Sequence, residues 1–234
     1  MRYIPSEEIK EKEIKPDNLA KKSWAVKTGF LPDIFKKYGA VKLGRALDIG
    51  SGAGSTGIFL HQYFNKVYGV DLASYLADEA KKIVDFSKAD LNFDKLPYQD
   101  GFFDVATSFQ VFEHLENPFF AMREVSRVLR PGGLFLMSVP NPFQWTFKLK
   151  FLLTGNMPPY TEKNNHLLFL TRDVFKKTFL ANFDLVDIIY QKGDIPFYGR
   201  LRLVFGGLIK YRHYKALPRN ELFARCVCYV LEKK

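Results

Sequence analysis

The sequence predicts an α/β fold in which a mostly parallel β-sheet carries helices on both faces. A short apolar run at residues 45–49 leads directly into a glycine-rich turn at residues 50–54. Beyond this turn, short apolar runs alternate with helical spacings of apolar residues as far as residue 139, which is typical of βα units around a parallel sheet. Ligands of such sheets bind at the carboxyl ends of the strands. The glycine turn is therefore the first candidate for a binding site.

Glycines occupy every second position of this turn, at Gly50, Gly52 and Gly54. Glycine lacks a Cβ atom and reaches positive φ at little steric cost, so the backbone N–H groups here can approach a bound molecule closely. A predicted helix at Ser55–Phe64 follows at once. Strand, turn and helix together indicate a nucleotide-type cofactor, which we expect to contact the three glycines and Ser51.

Two cofactor classes are compatible with the glycines alone. Residues 52–57 satisfy the dinucleotide fingerprint, with Asp71 nineteen residues after Gly52, which would indicate an NAD(P)-dependent oxidoreductase. Asp48, at the end of the strand, separates the two classes. A fixed negative charge is unfavourable beside a pyrophosphate, but it is tolerable beside S-adenosylmethionine, which has no phosphate and carries a sulfonium and an ammonium group. We therefore expect Asp48 to line an S-adenosylmethionine site.

Four further strands are predicted, and residues at their ends are additional cofactor candidates. The strands are Lys66–Val70, Ile83–Ala89, Phe102–Phe109 and Leu134–Val139, with an amphipathic helix at Pro118–Arg130 before the last of them. Asp71 follows the first of these strands, where its carboxylate can accept both hydroxyl groups of a ribose, and Leu72 comes next. Asp90 is placed to accept a hydrogen bond from an adenine amino group while Leu91 covers the ring. Phe109, at the end of its strand, is also expected to contact the cofactor.

Several of these segments occur together in one known group of proteins. They are residues 47–54 (LDIGSGAG), 69–71 (GVD), 96–105 (LPYQDGFFDV), 113–115 (EHL) and 127–133 (RVLRPGG). Jointly they resemble the class I S-adenosylmethionine-dependent methyltransferases of the type 11 or UbiE-like group, closely over residues 40–141. The resemblance implies a Rossmann-like, seven-stranded, mostly parallel sheet with an antiparallel last strand, and S-adenosyl-L-methionine as the cofactor. Asp184–Tyr190 and Leu222–Leu231 supply the two strands still needed.

The chain is predicted to form a single methyltransferase domain with additions to the shared core. Its parts are an N-terminal cap at 1–44, the cofactor-binding core at 45–140, a lid insertion at 141–170, and the C-terminal part of the sheet at 171–234 with a basic insertion at 192–220. No apolar run has the length of a signal peptide or a membrane span, so we expect a cytoplasmic protein.

The net charge of +10 is distributed unevenly along the chain. Residues 192–234 hold 10 basic and 3 acidic groups, whereas residues 45–142 hold 9 basic and 12 acidic groups. Positive charge outside the cofactor core favours an anionic acceptor. Basic and apolar residues interleaved over 192–220 also predict peripheral contact with an anionic membrane.

Two histidines are the candidate catalytic residues. Methyl transfer needs an aligned nucleophile, and an acceptor hydroxyl or acidic carbon must also lose a proton. His114 follows the fourth strand and has an unperturbed pKa suited to a base. His166, in the lid insertion, has a similar claim. No metal is expected, because Cys226 and Cys228 lie in a predicted strand without further zinc ligands and are interpreted as core thiols.

Nucleic-acid methylation is the main rival function, because the chain is basic. Enzymes that methylate exocyclic amino groups carry Asn/Asp-Pro-Pro-Tyr/Phe after the fourth strand, whereas this chain has residues 108–111 (SFQV) there. The similar segment 156–160 (NMPPY) has an extra residue and follows the fifth strand, where we predict a turn. We therefore expect O- or C-methylation of a small, lipid-linked or glycan-linked acceptor. An RNA or other nucleic-acid methyltransferase and an NAD(P)-dependent oxidoreductase remain the alternatives.

Overall fold

A computed structural model describes residues 30–38, 44–162, 164–191 and 219–234. Most of the predicted N-terminal cap at 1–44 and nearly all of the predicted basic insertion at 192–220 lie outside these described residues. Within them, no helix combines the length and the apolar character that crossing a membrane requires.

Seven strands form one sheet in the order β3-β2-β1-β4-β5-β7-β6. The strands are β1 Arg45–Ile49, β2 Lys66–Asp71, β3 Val84–Lys88, β4 Phe103–Phe109, β5 Leu129–Pro140, β6 Phe183–Tyr190 and β7 Cys226–Lys233. β1 to β5 pair in parallel, while β7 runs antiparallel to both of its neighbours, β5 and β6. The predicted seven-stranded, mostly parallel sheet with an antiparallel last strand is therefore confirmed.

Helices cover both faces of this sheet. The α-helices are α1 Phe30–Tyr38, α2 Ser55–Leu60, α3 Asp78–Lys81, α4 Pro118–Val128, α5 Trp145–Thr154 and α6 Arg172–Thr178, with short 3₁₀ turns at Phe112–His114 and Phe179–Ala181. Apolar residues of α1, α2 and α3 share one buried cluster, and those of α4 and α6 share the other. Within β1 the side chains alternate between the clusters, with Ala46 in the first and Leu47 in the second. The sheet is thus the middle layer of three.

The junction between α4 and β5 differs from the prediction. The helix ends at Val128 rather than at Arg130, and β5 begins at Leu129 rather than at Leu134. Pro131 disfavours a helical conformation for the residue before it. Leu129 is already extended, with φ −77° and ψ 141°, and it pairs with Phe103 of β4. The strand therefore starts before the Pro-Gly-Gly sequence instead of after it.

Two other predicted bounds were also wrong. β7 begins at Cys226 rather than at Leu222, because Asn220 closes a turn by accepting hydrogen bonds on Oδ1 from the Leu222 and Phe223 amides at 3.1 and 3.3 Å. Helix α2 ends at Leu60 rather than at Phe64, and turns complete the segment. Neither shift moves a residue of the candidate site.

Candidate functional site

The glycine turn after β1 is fixed by close contacts on both sides. Gly50 has φ +69°, and a Cβ atom built on it would lie 2.3 Å from Cγ2 of Val111. Gly54 has φ +81°, and its Cβ would lie 2.4 Å from Cβ of Ala80. The Gly50 amide donates to the carbonyl oxygen of Val70 at 2.8 Å. The turn therefore contacts both the end of β2 and residues 110–114, the segment that follows β4.

Asp71, at the end of β2, holds the glycine turn in place through hydrogen bonds to backbone amides. Its Oδ2 accepts a hydrogen bond from the Gly52 amide at 2.9 Å, and its Oδ1 accepts one from the Leu72 amide at 2.7 Å. Burial raises the pKa of this carboxyl, while the two amide hydrogen bonds act in the opposite direction. An ionised carboxylate accepts about four hydrogen bonds, so both oxygens keep a free lone pair for a ligand hydroxyl.

Asp48 is not the fixed negative charge that the sequence argument assumed. It is only 2% exposed, and its Oδ1 accepts a hydrogen bond from Thr107 Oγ1 at 2.9 Å. Its pKa is raised to about 8, chiefly by burial and also by the nearby Asp71, against the effect of the Thr107 bond. At neutral pH this carboxyl is mostly protonated, so its charge does not exclude a pyrophosphate. Its Oδ2 has no hydrogen-bond partner and can receive a ligand donor.

The ends of β3 and β4 add the remaining predicted cofactor residues. Asp90 accepts hydrogen bonds on Oδ1 from the backbone and side-chain amides of Asn92 at 3.0 and 3.1 Å. Leu91 is buried in the core cluster that contains α4, and the half-buried Phe109 packs against the other cluster. Ser51 is 6% exposed, and its Oγ has no hydrogen-bond partner. The structure therefore lines one edge of the sheet with these residues, at the carboxyl ends of β1 to β4.

A second group of polar residues lies directly beyond β4. Glu113, in the 3₁₀ turn Phe112–His114, is fully buried, and neither oxygen of its carboxyl has a hydrogen-bond partner. Burial raises its pKa to about 8. Its backbone carbonyl accepts hydrogen bonds from the amides of Leu167 and Leu168 at 2.6 and 3.2 Å. Those bonds hold the chain around His166 against the 3₁₀ turn.

The two histidines predicted as catalytic residues are brought together. The ring centroids of His114 and His166 are 4.7 Å apart. His166 Nδ1 lies 2.5 Å from the carbonyl oxygen of Pro159, so Nδ1 is the donor and Nε2 carries the free lone pair. Nδ1 of His114 has no hydrogen-bond partner. Together with Glu113, they form the three-residue cluster whose ligand atoms all lie within 4.8 Å of one another.

The pKa of His114 differs from the unperturbed value that the sequence argument used. This pKa is lowered to about 4, chiefly by burial and also by the neighbouring His166, while hydrogen bonding to Asn165 acts in the opposite direction. The pKa of the half-buried His166 is also lowered by burial. Both imidazoles are therefore neutral at pH 7, and each offers one unprotonated nitrogen to the cluster.

Tyr160 and Cys226 lie beside the three-residue cluster. Neither residue was predicted from the sequence to belong to the site. The hydroxyl of Tyr160 is buried without a hydrogen-bond partner, and its ring centroid is 5.9 Å from that of His166. Burial raises its pKa, and Glu113 raises it further. Cys226 Sγ is 3.7 Å from Oε1 of Gln110, and burial also raises the thiol pKa. Cys228 is a buried core thiol, as predicted.

The predicted lid consists of two unlike parts. Residues 159–162 and 164–168 carry Tyr160 and His166 and contact the site. The predicted turn at 156–160 is present, with the Tyr160 amide donating to the Met157 carbonyl at 2.8 Å. Helix α5, in contrast, has no buried residue, and Leu152 and Leu153 are 81% and 73% exposed. Of these two parts, the segment that carries Tyr160 and His166 covers the candidate site, and helix α5 does not.

Residues 47–137 match the protein family described as methyltransferase domain. This segment has the sequence of a methyltransferase domain. The matched segment runs from β1 into β5 and includes the glycine turn, Asp71 and the 3₁₀ turn with Glu113 and His114. The family implies S-adenosyl-L-methionine as the cofactor.

Curated relatives agree with this family over part of their length. The chain is 33% identical over 101 residues to the uncharacterized methyltransferase YcgJ of Bacillus subtilis, covering 40% of this chain and 39% of YcgJ. It is 30% identical over 107 residues to the ubiquinone/menaquinone biosynthesis C-methyltransferase UbiE of Desulfotalea psychrophila, covering 43% of each. The chain thus spans less than half the length of these curated relatives.

The shared fold extends over most of the chain. The crystal structure of YcgJ aligns with a TM-score of 0.56 at 20% identity, covering 87% of this chain and 97% of YcgJ. A structure of the PH0226 protein from Pyrococcus horikoshii aligns with a TM-score of 0.60 at 17% identity, covering 96% and 99%. At these identities the structures establish the fold alone.

The cofactor side of the methyltransferase domain suits S-adenosylmethionine chemically. Asp71 has free acceptor positions for two ribose hydroxyls, and Asp48 and Ser51 each have a buried oxygen without a partner. The ammonium and hydroxyl groups of the cofactor are donors that would satisfy such oxygens. The family match, rather than the charge of Asp48, decides against the dinucleotide.

Proposed function

We propose that this chain transfers the methyl group of S-adenosylmethionine to an oxygen atom or an acidic carbon atom of a small or lipid-linked acceptor. The observation that carries the proposal is the position of the three-residue cluster of Glu113, His114 and His166. Val111 contacts Gly50 in the cofactor turn, and the cluster begins two residues later. We therefore expect the methyl group of the bound cofactor to lie near these polar atoms, which have no hydrogen-bond partners. The C-methyltransferase UbiE, a relative over part of its length, supports acceptors of this kind.

S-adenosylmethionine supplies an activated methyl group when bound, so the protein has to align an acceptor and keep water out. Asp71 would hold the ribose of the cofactor through the lone pairs that the Gly52 and Leu72 amides leave free. Residues 159–168, tied to Glu113 by two backbone hydrogen bonds, close the opposite side. The acceptor then lies between the glycine turn and the cluster.

His114 and His166 are the proposed catalytic residues. Each offers an unprotonated ring nitrogen to an acceptor hydroxyl or acidic carbon, and they assist the loss of its proton. With a pKa of about 4, His114 is a weak base on its own. Its contribution then depends on its neighbours in the cluster, and not on an ordinary histidine pKa.

The His114→Ala variant tests this assignment. We expect it to bind S-adenosylhomocysteine within a few-fold of the unsubstituted protein, because His114 lies on the acceptor side. Turnover should fall by about 10²-fold or more, the scale of a lost acid–base group. Release of S-adenosylhomocysteine would be measured with a panel of phenols, quinols and 1,3-dicarbonyl compounds. His61→Ala, at an exposed position on the turn after α2, is the matched control, and full turnover in His114→Ala would remove His114 from the mechanism.

The charge distribution gives the proposal a second test. Anionic acceptors and peripheral contact with anionic membranes through residues 192–220 remain predictions, since that segment lies almost wholly outside the described residues. We expect co-sedimentation with vesicles of anionic phospholipid at low salt and its loss at high salt, because salt screens exposed charges. Equal binding to neutral vesicles would contradict an electrostatic contact.

A further inference from the structure

The three-residue cluster of Glu113, His114 and His166 has more in common with a ligand set than with an isolated base. One carboxylate oxygen and two imidazole nitrogens approach within 4.8 Å of one another. All three side chains are at least partly buried, so the approach is not a chance meeting of mobile surface groups. The elements that carry them, the 3₁₀ turn after β4 and the segment before α6, are fastened together by the bonds to the Glu113 carbonyl.

The hydrogen bonds of the histidines leave the appropriate nitrogens free. His166 donates its Nδ1 hydrogen to the Pro159 carbonyl oxygen, which fixes the tautomer with a lone pair on Nε2. Histidines that bind metals usually donate their other ring N–H to a carbonyl or a carboxylate in this way. Nδ1 of His114 is buried and has no partner. Because the ring donates to Asn165 through its other nitrogen, Nδ1 carries a second available lone pair.

The carboxyl of Glu113 completes the set. It is fully buried, and both oxygens lack a hydrogen-bond partner. A buried carboxylate is costly unless it is paired or coordinates a metal. The neighbouring polar groups, Tyr160 and Cys226, carry no positive charge, and no salt bridge to Glu113 occurs among the described residues.

We propose that Glu113, His114 and His166 bind a divalent transition-metal ion. Zinc ligands lie about 2.0–2.2 Å from the ion, which puts two tetrahedral ligands about 3.4 Å apart. The widest separation in the cluster is at most 4.8 Å, so binding zinc requires it to shorten by no more than about 1.4 Å. Two imidazoles and one carboxylate suit zinc, cobalt, iron or manganese, whereas magnesium and calcium prefer oxygen ligands. No metal was expected from the sequence, because only the cysteines were weighed as possible ligands.

The metal site also narrows the acceptor class, and this part rests on the proposed function. Three protein ligands leave at least one coordination position open, as in catalytic zinc sites. We expect an acceptor that enters between the cluster and the glycine turn to take this position. An acceptor with an ionisable oxygen, such as a phenol or an enol, fits it, because a bound cation lowers the pKa of a coordinated hydroxyl. With the ion bound, the lone pairs of His114 and His166 are occupied, so the two histidines would assist loss of the acceptor proton as ligands of the ion and not as free bases.

The test uses the untagged protein after treatment with a chelator. Zn²⁺, Co²⁺ and Mg²⁺ are each titrated by calorimetry, and the visible absorption of Co²⁺ reports nitrogen coordination. We expect one Zn²⁺ or Co²⁺ per chain and much weaker binding of Mg²⁺. Glu113→Gln and His166→Ala should each weaken Zn²⁺ binding by about 100-fold or more, whereas His61→Ala should not change it.

The same samples separate failure of the metal site from failure of the proposed function. Each variant is checked for folding by thermal unfolding and for binding of S-adenosylhomocysteine. Unchanged Zn²⁺ affinity in both folded variants, or no Zn²⁺ binding by the unsubstituted protein, overturns the metal site. Metal binding that disappears in the variants supports the site even if no acceptor in the panel is methylated, a result that would count only against the proposed function.

Discussion

At the residue scale, Asp71 makes the most specific prediction about the cofactor. Asp71→Ala removes the acceptor of the Gly52 and Leu72 amides and the free lone pairs expected to bind the ribose. We expect binding of S-adenosylhomocysteine to weaken by about 1–3 kcal/mol, the scale of leaving buried hydrogen-bonding groups unpaired. Calorimetric titration measures the change. Asp173→Ala, at an exposed position in α6, controls for loss of charge, and an unaltered affinity in Asp71→Ala would refute its assigned role.

The sequence predicted where individual side chains lie better than it predicted their ionisation. Asp71 could be placed because residues at the carboxyl end of a parallel strand face the ligand edge. The pKa of Asp48 depends on its burial and on Thr107, which is distant in sequence but adjacent in the sheet. The low pKa of His114 has the same origin, since His166 reaches it from another part of the chain. Such environments have no local signature in the sequence.

At the element scale, the contact between the glycine turn and the segment after β4 can be tested by a pair of substitutions. Gly50→Ala introduces a Cβ atom 2.3 Å from Cγ2 of Val111, at a φ of +69° that alanine adopts with strain. We expect a loss of about 1–3 kcal/mol in the free energy of unfolding, together with weaker cofactor binding. Urea denaturation and titration with S-adenosylhomocysteine measure the two effects.

Combining Gly50→Ala with Val111→Ala separates the steric clash with Val111 from the strained φ of residue 50 as causes of the lost stability. Val111→Ala removes the clashing methyl groups, so Gly50→Ala should cost less in that background, and the part that remains reports the strained φ. An equal cost in both backgrounds would mean that the contact with Val111 contributes nothing.

Regular elements were predicted well where their pattern was local. β1, β2 and β4 were recovered within one residue at either end, because apolar runs bounded by glycine, aspartate or proline are distinctive. Helix α5 was not predicted as an element, since its apolar residues are exposed and form no stripe that faces a core. The start of β7 was misplaced because Asn220 and Asn141 shape the turn before it through side-chain hydrogen bonds.

At the scale of the whole molecule, two buried carboxyls make stability depend on pH. Burial raises the pKa of Asp48 and of Glu113 to about 8, from 3.8 and 4.5. The folded protein therefore binds more protons than the unfolded chain between these values, and stability falls as pH rises toward 8. His114 acts in the opposite direction, but only between about pH 4 and 6.5, where the unfolded chain alone is protonated.

We therefore expect the free energy of unfolding of the chelator-treated protein to fall between pH 6.5 and 8. The expected slope is about 1 kcal/mol per pH unit for each carboxyl, the scale of one protonation. Urea denaturation at several pH values measures it. Glu113→Gln should lose about half of the slope, whereas Glu116→Gln, at an exposed position, should keep it all. Identical slopes in the two variants would show that Glu113 ionises as freely as in the unfolded chain.

The architecture as a whole followed from the resemblance, and not from periodicity. Apolar runs could indicate seven strands, but nothing in their spacing says that β7 lies between β5 and β6. The three-residue cluster likewise could not be predicted from the spacing of residues in the sequence. Glu113 and His166 are 53 residues apart in sequence, with α4, β5 and α5 between them, and the backbone bonds to the Glu113 carbonyl help to bring them together. Long-range pairing of this kind has to be taken from a known fold or from the structure.

The position of β7 also affects how the molecule can assemble as it is synthesised. β6 is synthesised before β7, yet it pairs with β7 alone. One edge of β5 also stays unpaired until β7 is available. Until residues 226–233 leave the ribosome, two apolar strand edges stay open, and such edges are prone to pair with other chains. The nascent chain should therefore depend on chaperones longest just before this segment emerges, although the cofactor edge of the sheet is already complete in sequence.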